Sequence, residues 1–196
     1  MAASPLATAH RAQQVALRAV VLRELRRVWP ALDPERLDET FPGWVAAVGP
    51  LVVSSRRASS ALASRYVRAL RAAAGVPGAA PVVAAGELPP EVLLSSLGVT
   101  GPVAIKKAMT RGVPVEDAAR NAFVLSAAAV SRHVLDAGRE TILASARSDD
   151  RVEGWRRVTS PRACEFCDSL DDIYPPGYGD FKSHDGCACT VEPVYV

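Results

Sequence analysis

Aromatic residues make up only 6% of this 196-residue chain, and the formal net charge is only +2. A core short of aromatic rings must be built from Ala, Leu and Val, a mix that favours helices. No apolar run approaches the roughly 20 residues a membrane-spanning helix needs. The longest, near Val45 to Val53, is broken by Gly49 and Pro50. Met1 to Thr8 lacks a charged n-region followed by an apolar h-region, so no leader is read and a reducing compartment is expected. H-E-x-x-H and G-x-S-x-G are both missing, and no H-x-E precedes the C-x-x-C. The usual zinc-protease, nucleophile-elbow and deaminase chemistries therefore have no carrier. There are three histidines, and Ser131-Arg132-His133 is the closest Ser/His approach upstream of the cysteines. Adjacent helix positions do not face each other. The expectation is a non-enzyme with no small-molecule substrate and no membrane partner.

What is present is concentrated near the C-terminus. All four cysteines fall between positions 164 and 189, together with His184. Cys164 and Cys167 form a C-x-x-C knuckle; His184 and Cys187 form H-x-x-C; Cys189 follows two residues later. Two tight knuckles, each offering two soft or borderline ligands, are what a tetrahedral zinc site requires. Pro175, Pro176, Gly177 and Gly179 keep the intervening loop from becoming a helix or central strand, so it can fold back. Five donors compete for four positions. Cys164, Cys167, His184 and Cys187 are the favoured set, with Cys189 as a substitute or supporting thiol. Two disulfides would require export, and no βαβ pattern surrounds the C-x-x-C to make it a redox pair. Cysteine-rich sets usually close, so the zinc is read as structural.

The rest of the chain reads as mainly α: a helical N-terminal and central region (1–150) followed by a small zinc-stabilised β unit (151–196). Ser4-Pro5 starts the first helix, with Val15, Leu22, Leu25 and Trp29 as its apolar stripe. Pro30 ends it. Asp33-Pro34-Glu35 opens a short helix through Glu39, and Phe41-Pro42-Gly43 breaks the chain. A long pattern then runs from Trp44 to Ala74, kinked at Gly49-Pro50. Arg56, Arg57, Arg65, Arg68 and Arg71 form its basic side, a weak candidate for phosphate contact. Residues 75–90 are a Pro/Gly/Ala-rich loop, an extended arm against the helices. A helix over Glu91 to Leu97 closes at Gly98, another covers Val103 to Arg111, and a longer one opens at Pro114 and is interrupted at Gly138. Gly154 to Ser160 and Thr190 to Val196 read as strands flanking the cysteines. So small a sheet is marginal alone, and metal ligation would supply the missing stability. His10 and His133 are read as structural or surface residues. Charge is uneven: residues 1–75 hold eleven arginines against five acids, and residues 160–196 hold two basic residues against seven acids.

The tail resembles the C-terminal signature of MuF-like phage head morphogenesis (minor capsid) proteins. The matching parts are Trp155, Cys164-Glu165-Phe166-Cys167, Leu170, Pro175 to Gly179, His184-Asp185-Gly186-Cys187-Ala188-Cys189 and Pro193-Val194-Tyr195. The upstream pieces LDPERLDETFPGW, VTGPVAIKKAM and LDAGRETILASA are similar to minor capsid proteins of actinobacterial phages. Asp185-Gly186 stands where that family often has Pro-Asn, which removes no ligand. The resemblance implies a structural protein of a tailed phage or prophage, made in the bacterial host cytoplasm and packaged in few copies inside the capsid. It would act near the portal in head morphogenesis, with portal or major capsid protein as partners and packaged DNA as a further contact. Related proteins are often labelled capsid maturation proteases, so that activity is one alternative, in which a nucleophilic Cys167 would require the zinc to be absent. A zinc-containing DNA-binding protein is the other.

Overall fold

The computed structural model describes residues 3–159, 163–170 and 172–196. Helix α1 (Pro5–Val28) begins where Ser4 Oγ accepts the Ala7 N–H at 3.1 Å, with Pro5 at the first helical position. Its inward face is Ala7, His10, Gln14, Val21 and Leu25. Val15 is 42% exposed, so the expected stripe is rotated. Two polar residues take the inner face because each finds a match there. His10 stacks on Tyr66 with ring centroids 4.5 Å apart, and Gln14 hydrogen-bonds Ser59.

A 3₁₀ turn (Trp29–Ala31) follows α1, and residues 34–36 form a turn rather than the expected short helix. Helix α2 (Leu37–Ala73) then runs unbroken through both Pro42 and Pro50, which corrects the break expected at Phe41-Pro42-Gly43. Each proline removes a ladder bond. Both prolines are exposed, while Leu37, Trp44, Val48 and Val52 around them are buried, so packing outweighs local propensity.

Residues 74–89 carry no regular structure and lie as an arm along the helices. The Ser145 and Thr141 hydroxyls accept the Val83 and Ala85 N–H groups, each at 3.0 Å. Helix α3 (Pro90–Gly98) does not close at its glycine. It continues through a π turn (Val99–Val103) into α4 (Ala104–Met109). Helix α5 (Val115–Arg147) starts after Pro114, as expected, but is not interrupted at Gly138. A Cβ built there would meet Gln14 Nε2 at 2.7 Å and Ser59 Oγ at 2.8 Å. The glycine marks the close crossing of α1, α2 and α5, not a helix break.

Strand β1 (Val152–Val158) is the centre of a three-stranded antiparallel sheet, between β2 (Ile173–Tyr174) and β3 (Thr190–Tyr195). Trp155 pairs with Tyr174 on one side and Pro193 on the other. Pro193 is tolerated because β3 is an edge strand. Ser160, expected as the end of β1, lies outside the described residues. One hydrophobic cluster gathers Val21, Leu25, Trp44, Val48, Val52, Leu97, Ile105 and Val130 within the helical region. A second joins the two parts of the chain: Ala63, Tyr66, Val67 and Ile142 pack with Trp155, Val158, Phe181, Val191 and three of the cysteines. The sheet is therefore not left to stand alone; one face is buried on α2 and α5. No helix among the described residues is long and apolar enough to cross a membrane.

Candidate metal centre

Each knuckle is built by a local turn. Cys164 caps the single-turn helix α6 (Glu165–Asp168), and its carbonyl accepts the Asp168 N–H at 3.0 Å, which brings Cys167 round beneath it. In the second knuckle the Cys187 N–H returns to the His184 carbonyl at 3.0 Å. Gly186 sits at φ +81°, a backbone state that favours glycine and lets this turn close.

The loop does fold back. Cys164 Sγ and Cys167 Sγ each lie 3.2 Å from His184 Nε2, and Cys167 Sγ lies 3.7 Å from Cys187 Sγ. A tetrahedral zinc with Zn–S near 2.3 Å has an S···S edge of about 3.8 Å, so Cys167 and Cys187 are spaced as neighbouring ligands of one ion. Two overlapping sets could hold a metal: Cys164, Cys167 and His184, and Cys167, Cys187 and Cys189. His184 is held in the right tautomer, because Nδ1 is 2.9 Å from the Asp185 carbonyl and serves as donor. That leaves the Nε2 lone pair toward the sulfurs, the orientation that a carbonyl accepting the other ring N–H gives metal-binding histidines.

The thiols differ in their electrostatics. Burial pushes Cys167 up to about 11. Cys187 is drawn down to about 4, chiefly by a hydrogen bond from Cys189 and further by the charge of Arg139. A hydrogen bond from the Cys167 backbone holds Cys164 below the ordinary thiol value, and the bond to Asp185 raises His184. Low-pKa thiols are the ones ready to ligate as thiolate.

Two buried arginines that sequence reasoning passed over support the donors. From α5, Arg139 donates Nε to the Cys189 carbonyl at 3.1 Å and Nη2 to the Cys187 and Cys189 carbonyls at 2.9 Å each. From β1, Arg157 points Nη1 at Cys167 Sγ (3.7 Å) and donates Nη2 to the Lys182 carbonyl at 2.6 Å. Both guanidiniums lie over the Phe181 ring, at 4.8 and 3.8 Å from its centroid. Three thiolates and a dication leave a net charge near −1, which these cations offset. The signals available for Arg139 were its position on the buried stripe with Leu135, Gly138 and Ile142, where an unpaired arginine would not be tolerated, and the i,i+3 pair it forms with Asp136. Arg18 of α1 and Arg132 of α5 also reach this knuckle, at the Gly186 carbonyl (3.3 Å) and the Asp185 carboxylate (3.1 Å).

The five arginines expected to form one basic side do not do so. Arg56 is buried and donates to the His133 and Gly86 carbonyls and to Glu140. Arg71 is buried against Asp149 and the Pro77 carbonyl. Neither is free for phosphate. Arg57, Arg65 and Arg68 remain exposed on α2. His10 and His133 are both buried, 2% and 7% exposed, rather than surface residues.

No curated protein and no solved structure matches the chain. The model of the VG15 protein family matches residues 1–195. On that match, which spans both the helical body and the metal centre, the chain belongs to the VG15 protein family, a family of phage proteins.

Proposed function

We propose that this chain is a minor structural protein of a tailed-phage head, carrying zinc as a fold-stabilising ion and acting inside the capsid near the portal. The match of residues 1–195 to a phage family carries this reading. The cysteine-histidine centre supports it, since Cys167, Cys187 and Cys189 are buried in the cluster that joins the sheet to the helices. Cys164, Cys167, His184 and Cys187 would hold the zinc. The ion would tie the two knuckles together and fix the sheet on α2 and α5, as structural zinc does in small β units.

No catalytic role is part of this reading. Ser131 Oγ donates to the Ala127 carbonyl at 2.7 Å within its own helix, so it is not oriented by His133. Portal or major capsid protein would be the partner. Packaged DNA would meet the exposed Arg57, Arg65 and Arg68, which recur on one face of α2.

Quantitative mass spectrometry of purified particles tests this reading by counting the chain against portal and major capsid protein. A few copies per particle with an untrimmed capsid protein is the expected result. Absence from particles overturns it, and absence with a trimmed capsid protein points to the protease.

A further inference from the structure

The five donors are not equivalent, and their arrangement is graded from outside to inside. Cys164 is exposed and His184 half-buried, whereas Cys167, Cys187 and Cys189 are 1%, 4% and 4% exposed. The outer set is mixed, two sulfurs and an imidazole nitrogen. The inner set is three sulfurs in an apolar wall with Phe181 and Val191. The two share Cys167. The inner set has its own charge support: Arg157 at the Cys167 sulfur, and Arg139 at the Cys187 and Cys189 carbonyls.

Resting on the zinc reading above, we propose that the centre has a second, all-sulfur binding mode on Cys167, Cys187 and Cys189, selective for thiophilic cations such as Cd(II) or Cu(I). Zinc, a borderline ion, uses Cys164, Cys167, His184 and Cys187. A softer ion prefers thiolate to imidazole. Such an ion would be held by Cys167, Cys187 and Cys189 in place of His184. Each ligating thiol releases its proton to solvent, and no oxidant or reductant is involved. In this arrangement Cys189, which hydrogen-bonds Cys187, becomes a selectivity ligand.

The test uses the full chain with Zn(II) and Cd(II) as probes in competition with a chelator of known affinity. His184→Ala should weaken zinc by at least roughly tenfold, the lower end of what even outer-shell changes cost, while cadmium affinity stays within about threefold. Cys189→Ser should do the reverse. Because His184→Ala could perturb folding, ¹¹³Cd NMR of the unsubstituted protein gives an independent reading: a resonance in the all-sulfur range is expected. A mixed nitrogen–sulfur resonance, or both substitutions weakening both ions alike, overturns the second mode and leaves the zinc site standing. Failure of the unsubstituted chain to bind either ion overturns both.

Discussion

Replacing Gly138 with alanine in the middle of α5 should destabilise this protein, although the same change in an ordinary helix interior stabilises by about 1 kcal/mol. The new methyl would lie 2.7 Å from Gln14 Nε2 and 2.8 Å from Ser59 Oγ. Those two residues exchange hydrogen bonds: Gln14 Nε2 donates to the Ser59 carbonyl at 3.1 Å, and Ser59 Oγ donates to Gln14 Oε1 at 2.8 Å. Gln14 is 6% exposed and Ser59 fully buried, so neither side chain can swing to water. Overpacking costs about 1–3 kcal/mol, and a buried polar group deprived of its partner costs about 1–3 kcal/mol more. Set against the propensity gain, a net loss of roughly 1–5 kcal/mol is expected. For a chain of this size that lowers Tm by about 2–4 °C per kcal/mol. Thermal and urea unfolding of the single variant, and of Gly138→Ala combined with Ser59→Gly, measure it. The second change opens the space, so the double variant should recover part of the loss. A Gly138→Ala protein that melts above the parent would refute the close-crossing explanation and restore glycine's role as a simple helix weakener.

His10 gives a pH dependence. Burial holds it neutral down to about 4, against an ordinary value near 6.5. The unfolded chain therefore binds a proton that the folded chain does not between those values. The stability His10 allows is complete above about pH 6.5 and lost as pH falls toward 4, by about 3 kcal/mol in total. His10→Phe keeps a ring against Tyr66, and its Tm advantage over the parent should grow as pH is lowered from 7 to 4.5. A constant difference would show that His10 does not titrate in this window. Arg139→Met keeps the stem but removes three bonds to the second knuckle, and zinc affinity should fall roughly 10–100-fold in a chelator competition; an unchanged affinity would mean the knuckle is held by metal alone. Pro42→Ala and Pro50→Ala restore helix N–H donors at exposed positions, and each should add about 1–3 kcal/mol in urea unfolding. A loss at either site would show that α2 depends on a proline-shaped bend there.

Local signals were the legible ones. Ser4-Pro5 and Pro114 marked helix starts because capping and a fixed φ act within one turn. The strands around the cysteines and the fold-back of the loop followed from short-range patterning, and the five donors gather as two triads that share Cys167. Features decided by distant partners were misread. Pro42, Pro50, Gly98 and Gly138 punctuate a sequence when read alone, but α2, α3 and α5 continue through them because the surrounding faces are buried. The arginines of α2 looked like one basic side. Arg56 and Arg71 instead meet Glu140 and Asp149, acids 84 and 78 residues further along the chain. No helical periodicity can report such a pairing. Arg157 was passed over for the same reason: its partners are a backbone carbonyl and a sulfur, which leave no charge pattern to read.

The most direct measurement is the zinc content of the purified full chain, by elemental mass spectrometry, paired with melting curves before and after chelation. One zinc per chain is expected. Its removal should expose Trp155, now 3% exposed between the sheet and the helices, and lower the melting temperature of the β unit while the helical signal largely persists. A chain that holds no zinc when purified under reducing conditions, or melts identically with and without chelator, would contradict a metal-stabilised C-terminal unit.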